Sequence, residues 1–183
     1  MVYLKWLLLL IPDFISQVIG KALAPVLALF VNRDGYLPRW LWWFQTDDNP
    51  CDGDDAHWER HPRTDPIGTW WRRTTWLFRN TAYVFAIDVL GVPVWPSDDF
   101  IVEGDPDASD TNGRSGYCFR RVYRNGELIC FHWYYVKHYS LGKLHACLRI
   151  GAGWKLWGDW HEKEGKVAQL HAYLNPLKRF RWG

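Results

Sequence analysis

The chain lacks most of what would name an activity outright. Lys and Arg number 22 against 20 Asp and Glu, a formal net charge of +2 over 183 residues, so charge balance identifies no partner. Its four cysteines, Cys51, Cys118, Cys130 and Cys147, include no C-x-x-C pair, and nothing else marks a secreted disulfide scaffold. Reduced thiols are therefore expected. There is no G-x-S-x-G elbow, Walker loop, H-E-x-x-H helix or Gly-rich dinucleotide fingerprint. A non-catalytic protein without a cofactor is the expectation. The N-terminal apolar run is broken before it reaches the ~18 uninterrupted apolar residues of a plain membrane span.

What the chain has is hydrophobicity and tryptophan. At 48% hydrophobic and 23% charged it can bury a core. Its 14 tryptophans suit surfaces that are apolar at one end and wet at the other, though they also serve as bulky core filler. Residues 6–30 are nearly all apolar, interrupted by Asp13, Ser16, Gln17, Gly20 and Lys21 at helical spacing. On a helix these form one narrow stripe. Such a helix could lie in a membrane interface, span with its stripe toward a partner, or fill a protein groove. Lys5, the leucine run and Ala22-Leu23-Ala24 imitate a signal peptide, but Pro25 would follow the cut, so retention is expected.

The next segment, 32–64, begins aromatic and turns acidic. Leu37 to Phe44 carries Trp40, Trp42, Trp43 and Phe44; Asn49-Pro50 and Asp52-Gly53 then mark turns. Asp48, Asp52, Asp54 and Asp55 form a candidate ion site, although their spacing departs from an EF-hand and a solvated acidic loop competes with it. Asp54 and Asp55 with His57 and His61 could also make a metal-hydrolase patch.

Here the chain resembles an uncharacterised, Trp-rich protein family of tailed bacteriophages and prophages. The resemblance is carried by Trp42-Trp43-Phe44-Gln45-Thr46-Asp47-Asp48-Asn49-Pro50 and Asp52-Gly53-Asp54. Further pieces are residues 22–30, Trp76-Leu77-Phe78-Arg79-Asn80 with Ala82-Tyr83, and Gly153-Trp154-Lys155. It implies a phage origin and no catalytic residues to carry over; the expected partners are other virion proteins or the host inner membrane.

Beyond 65 an α+β domain is expected. A middle helix over 65–91 starts at Asp65-Pro66 and ends before Gly91-Val92-Pro93. An acidic loop covers 92–115. A four-stranded antiparallel meander covers 116–174, before a basic aromatic tail at 178–182. Asn125-Gly126 is its clearest turn, since a type I′ hairpin needs positive φ at both central residues. A two-residue loop there pairs Arg124 with Glu127, Val122 with Ile129 and Phe119 with His132. A turn at Leu141-Gly142 pairs Ser140 with Lys143, His138 with His145 and Val136 with Cys147. One face then holds Val122, Ile129, Phe131, Trp133, Tyr135, Leu148 and Ile150. The other holds Tyr117, Phe119, Arg121, Tyr123, His132, Tyr134 and Arg149 with a candidate metal set, His138, His145, Cys130 and Cys147. That second face could also stack nucleic-acid bases, but no RNP-type motif supports it. The expectation is thus an amphipathic helix at 1–31 with Trp6, Phe14, Phe30, Trp40, Trp42, Trp43 and Phe44 as docking surface. The protein would be a virion component or a host-membrane-associated accessory, with oligomerisation open. The alternative is a metal-dependent hydrolase or nucleic-acid-binding protein.

Overall fold

The computed structural model describes residues 1–156, 161 and 163–182. The chain forms two compact units, Met1–Leu10 with Gly91–Gly183, and Ile11–Leu90. The long first helix, α1 (Val2–Leu27), contributes to both and runs into a 3-10 turn, Ala28–Phe30.

In the unit Ile11–Leu90, a 3-10 turn (Arg39–Phe44) is followed by α2 (Asp55–Arg60) and α3 (Pro66–Arg79). The core joins Ala24, Leu27 and Ala28 to Leu37, Cys51, Trp76 and Leu77. Most of the polar stripe of α1 is covered by this same chain, while Lys21 at its end is exposed. Asp13 is buried and accepts from Gln17 Nε2 at 2.8 Å, and Gly20 packs so closely that a Cβ there would overlap Thr81 Oγ1. Pro25, inside α1, offers its carbonyl to Trp70 Nε1 at 2.9 Å. Asp54 caps α2 by accepting the His57 N–H at 2.8 Å. Asp65 precedes α3 as expected, but its carboxylate goes to Arg63 instead of the helix.

The expected middle helix over 65–91 is two elements. α3 stops at Arg79, Ala82 takes a left-handed φ of 59°, and a π turn follows at Phe85–Val89. The N–H groups of Ala82 and Val84 donate to the carbonyls of Phe44 and Gln45, so tertiary partners outcompete helix continuation.

In the other unit the sheet has six antiparallel strands, not four. They are β1 (Val92–Pro93), β2 (Asp99–Gly104), β3 (Gly116–Arg124), β4 (Glu127–Leu141), β5 (Leu144–Lys155) and β6 (Val167–Trp182), in spatial order β1-β6-β5-β4-β3-β2. β1 and β2 arise from the stretch read as acidic loop. β2 is an exposed edge strand whose carboxylates suit that position. β6 continues through Asn175-Pro176 into the expected tail. Two one-residue irregularities opposite His145–Arg149 absorb the proline and Arg179, whose φ is 57°. The expected polar tip at 161–165 includes Glu162, which lies outside the described residues. Tyr3 and Trp6 of α1 pack on Phe131 with ring centroids 4.7 and 5.6 Å away.

The Asn125-Gly126 turn forms as expected, with φ of 52° and 80° and Arg124 opposite Glu127. One residue later the register departs. Tyr123 pairs with Leu128 but Val122 pairs with Cys130, so Ile129 is the extra residue of a bulge. Phe119 then faces Trp133, and every more distant β3 residue is exchanged between the faces. At the second turn Leu141 pairs with Leu144, setting Ser140 opposite His145, His138 opposite Cys147 and Val136 opposite Arg149.

Candidate functional site

The bulge decides what meets on the sheet. Beyond it, Arg120 lies opposite His132, His132 opposite Gly153, and Gly153 opposite His171. The next row reads Cys118, Tyr134, Gly151 and Tyr173 across the same four strands. Side chains in such rows share one face. The glycines make these rows possible. A Cβ at Gly151 would sit 2.5 Å from Tyr173 Cζ, and one at Gly153 would overlap the Phe131 carbonyl oxygen. Both mark close approach within a strand.

These rows floor a cleft of about 530 Å³, completed by Asp107, Asp110, Arg149, Lys155, Lys178 and Arg179. The loop over it is held by Arg114, whose guanidinium reaches Asp105 at 2.6 Å and Asp107 at 3.2 Å. Asp110 is the best-supported carboxylate. It accepts from Arg179 Nε at 3.1 Å and from the Tyr134 hydroxyl at 3.3 Å, with Arg149 at 3.8 Å. Burial alone would push its pKa up, but Arg149, Arg179 and Lys178 hold it below the usual carboxylate range. Arg149 also donates to the Tyr173 hydroxyl at 3.0 Å and lies over the rings of Tyr173 and Tyr134, 4.6 and 5.4 Å from their centroids. Burial raises both phenols, Tyr134 to about 12.

The two histidines are different. His132 is 6% exposed, and its ring meets that of His171 edge-on at 4.9 Å. Burial, with Arg120 nearby, pushes the His132 pKa down to about 3; burial also holds His171 well below its ordinary value. Both rings are neutral at physiological pH. His132 Nδ1 accepts the Leu156 N–H at 3.3 Å, so the ring hydrogen sits on Nε2. That Nε2 and both nitrogens of His171 are buried without a hydrogen-bond partner among the described residues. So weak a base cannot carry proton-transfer chemistry near pH 7, but a neutral N–H donor can bind.

The residues singled out from sequence fare unevenly. His138 Nε2 meets the Ser109 carbonyl at 3.0 Å and His145 Nδ1 meets Ser140 Oγ at 2.8 Å. With the register shifted, His138, His145, Cys130 and Cys147 do not assemble, and no group of three His, Cys, Asp or Glu among the described residues could hold a metal ion. All four cysteines are free and buried. Of the acidic set, Asp52 is clamped by Arg72 and Arg73 at 2.9 Å each, Asp54 caps α2, Asp55 opens its first turn and Asp48 is exposed. His57 is turned inward, its Nε2 meeting the Arg72 carbonyl at 3.0 Å. Among the proposed docking aromatics, Phe14, Phe30, Trp40 and Trp43 are exposed, while Trp6, Trp42 and Phe44 are partly covered. Trp6 is committed to Phe131 and to the His171 carbonyl at 3.2 Å.

The chain belongs to a family of unknown function, DUF7338. The family model matches residues 1–182, so it takes in both units and every residue of the cleft. No curated protein and no solved structure matches the chain. In this DUF7338 member, Arg120, His171 and Tyr173 are the site residues that sequence reasoning passed over. The signal that could have found them is Gly151-x-Gly153 inside a strand.

Proposed function

We propose that this chain is a non-catalytic bacteriophage protein that works by association, held at the host inner membrane by one face of α1. The observation that carries this reading is the apolar face itself. Leu4, Leu7, Leu8, Ile11, Phe14, Ile15, Val18, Ile19, Leu23 and Val26 are all exposed, at 42–68%. Val2–Phe30 is long and apolar enough to reach across a bilayer.

A flat orientation fits better than a crossing one. Each unit keeps part of the helix covered by protein: Tyr3 and Trp6 on Phe131 in one, Asp13, Gly20, Ala24 and Leu27 in the other. A crossing helix would have to shed that cover and take Asp13 and Gln17 into hydrocarbon. A helix lying in the interface keeps Asp13, Gln17 and Gly20 on protein and turns its apolar face to lipid, while Lys5 and Lys21 reach the headgroups. At ~1 kcal/mol for each half-exposed aliphatic side chain, that face offers on the order of 10 kcal/mol of transfer energy. Trp40 and Trp43 are exposed and suit the headgroup level.

The test is flotation of the full chain with vesicles of phosphatidylethanolamine and phosphatidylglycerol, beside a Phe14→Ser, Ile15→Ser, Val18→Ser variant. The wild type should float and the variant should stay at the bottom with an unchanged melting curve. Equal behaviour of the two would overturn the membrane reading. In infected cells the protein should enrich with membranes; a fixed copy number in purified particles would make it a virion component instead.

A further inference from the structure

We infer that the row Arg120, His132 and His171 is an oxyanion site that takes the phosphate group of a small soluble molecule. The Arg120 side chain makes no hydrogen bond or ion pair with any described residue, and its Nε is buried. A guanidinium is always charged, and Arg120 is half-buried, so part of that charge is out of water without a counter-charge among the described residues. Arg149 and Arg179 in the same cleft share Asp110; no carboxylate among the described residues forms an ion pair with Arg120. Directly across the strand from it stands His132, with its Nε2–H buried and unpaired, and His171 completes the row.

Unpaired buried donors are rare enough in folded proteins that each asks for an explanation. Here three groups on one face share the same one. A neutral imidazole N–H, a second neutral imidazole and an unpaired arginine fork are complementary to an anion rich in acceptors. A metal ion would be repelled by the arginine. Phosphate suits the set better than carboxylate, because its oxygens can meet the Arg120 fork and the imidazole donors together. The cleft is of small-molecule size, so the group can carry a modest organic remainder.

The test is NMR of the full chain with labelled histidines, titrated with inorganic phosphate at constant ionic strength. His57 and His61, in the other unit, serve as internal controls. Saturable shifts confined to His132 and His171 are expected, with chloride inert and acetate markedly weaker. In Arg120→Gln, folded by circular dichroism, phosphate should bind about tenfold more weakly or worse. Arg120→Lys should recover part of the loss, and it takes the place of Arg120→Gln if that variant does not fold. Absence of saturation in the wild type, equal affinity for acetate, or unchanged binding in the Arg120 variants would each overturn the assignment.

Discussion

Two arginine sites in this chain solve the same electrostatic problem in opposite ways. In the unit Ile11–Leu90, Arg72 is almost wholly buried, with 3% of its side chain exposed, and although its Nε has no partner among the described residues its charge is met by a carboxylate. Arg72 and Arg73 both grip Asp52 at 2.9 Å, Arg72 donates again to the Arg63 carbonyl at 2.9 Å, and its guanidinium lies 3.5 Å from the centroid of the Trp58 ring. In the sheet unit, the Arg120 side chain shares its row with two neutral histidines and forms no ion pair with a carboxylate among the described residues. Burial alone would raise the pKa of Asp52, but the hydrogen bonds and charges of Arg73 and Arg72 lower it. Burial with Arg120 beside it lowers His132. The first arrangement neutralises its charge within the fold, with only the Arg72 Nε unpaired, and belongs to folding. The second leaves binding capacity unspent, and that distinguishes a site from a structural ion pair.

The sharpest way to break this contrast is to open the closed pair. Asp52→Ala leaves Arg72 buried and uncompensated, and removal of one partner from a buried pair costs about 3–5 kcal/mol. Urea unfolding should show a loss of that size. A loss below about 1 kcal/mol would mean that Asp52 is no more structural than a surface ion pair.

Acid should act first through the buried histidines. With a folded pKa of about 3 against an ordinary value of 6.5, His132 is protonated in the unfolded chain before the folded one. Its contribution is complete above about pH 6.5 and is lost as pH falls toward 3, at up to ~1.4 kcal/mol per pH unit. The depressed Asp52 carboxylate acts lower: its contribution is complete above about pH 4 and is lost as pH falls through its folded value. His57 is also lowered by burial and adds to the first window, so the informative quantity is a difference. Between pH 6.5 and 4, His132→Gln should lose roughly 3 kcal/mol less stability than the wild type. Parallel curves would show that His132 is hydrated and ordinary.

A satisfied pair within the sheet unit provides an internal control. Asp98 accepts both Arg124 nitrogens at 2.7 and 2.8 Å and caps Trp95 N–H at 2.8 Å, with 2% of its side chain exposed. Arg124 is more exposed and can rehydrate when released, so Asp98→Ala should cost about 1–3 kcal/mol, less than Asp52→Ala. The reverse order would indicate that exposure of the arginine does not set the cost.

How much of this was legible from sequence depends on the range of the physics. The turn at Asn125-Gly126 was visible because its chemistry is local. The α1 stripe was visible because helical periodicity is local too, although which side the protein would cover was not. The edge strand Asp99–Gly104 was hidden because its carboxylates are those of a loop, and its pairing with β3 is a tertiary fact. The middle helix was overextended because the partners of Ala82 and Val84 lie some 40 residues away. Most costly was the bulge at Ile129. No glycine announces it, and one extra residue moves Arg120 from the face opposite His132 onto the face beside it. Without the bulge, Arg120 and His132 fall on opposite faces, and the site does not assemble.

The smallest expected effect is the most telling. If Arg120 were a structural residue like Arg72, its replacement would destabilise the fold. If it is held unpaired for a ligand, removing its charge takes away a desolvation cost and no hydrogen bond to any described residue. Arg120→Gln should then melt within about 0.5 kcal/mol of the wild type, or slightly above it, in phosphate-free buffer. Adding phosphate should stabilise the wild type by mass action and leave the variant where it was. The two curves would coincide without the anion and separate with it. A variant that loses 2 kcal/mol or more before any anion is added would place Arg120 with Arg72 among the residues that hold the fold.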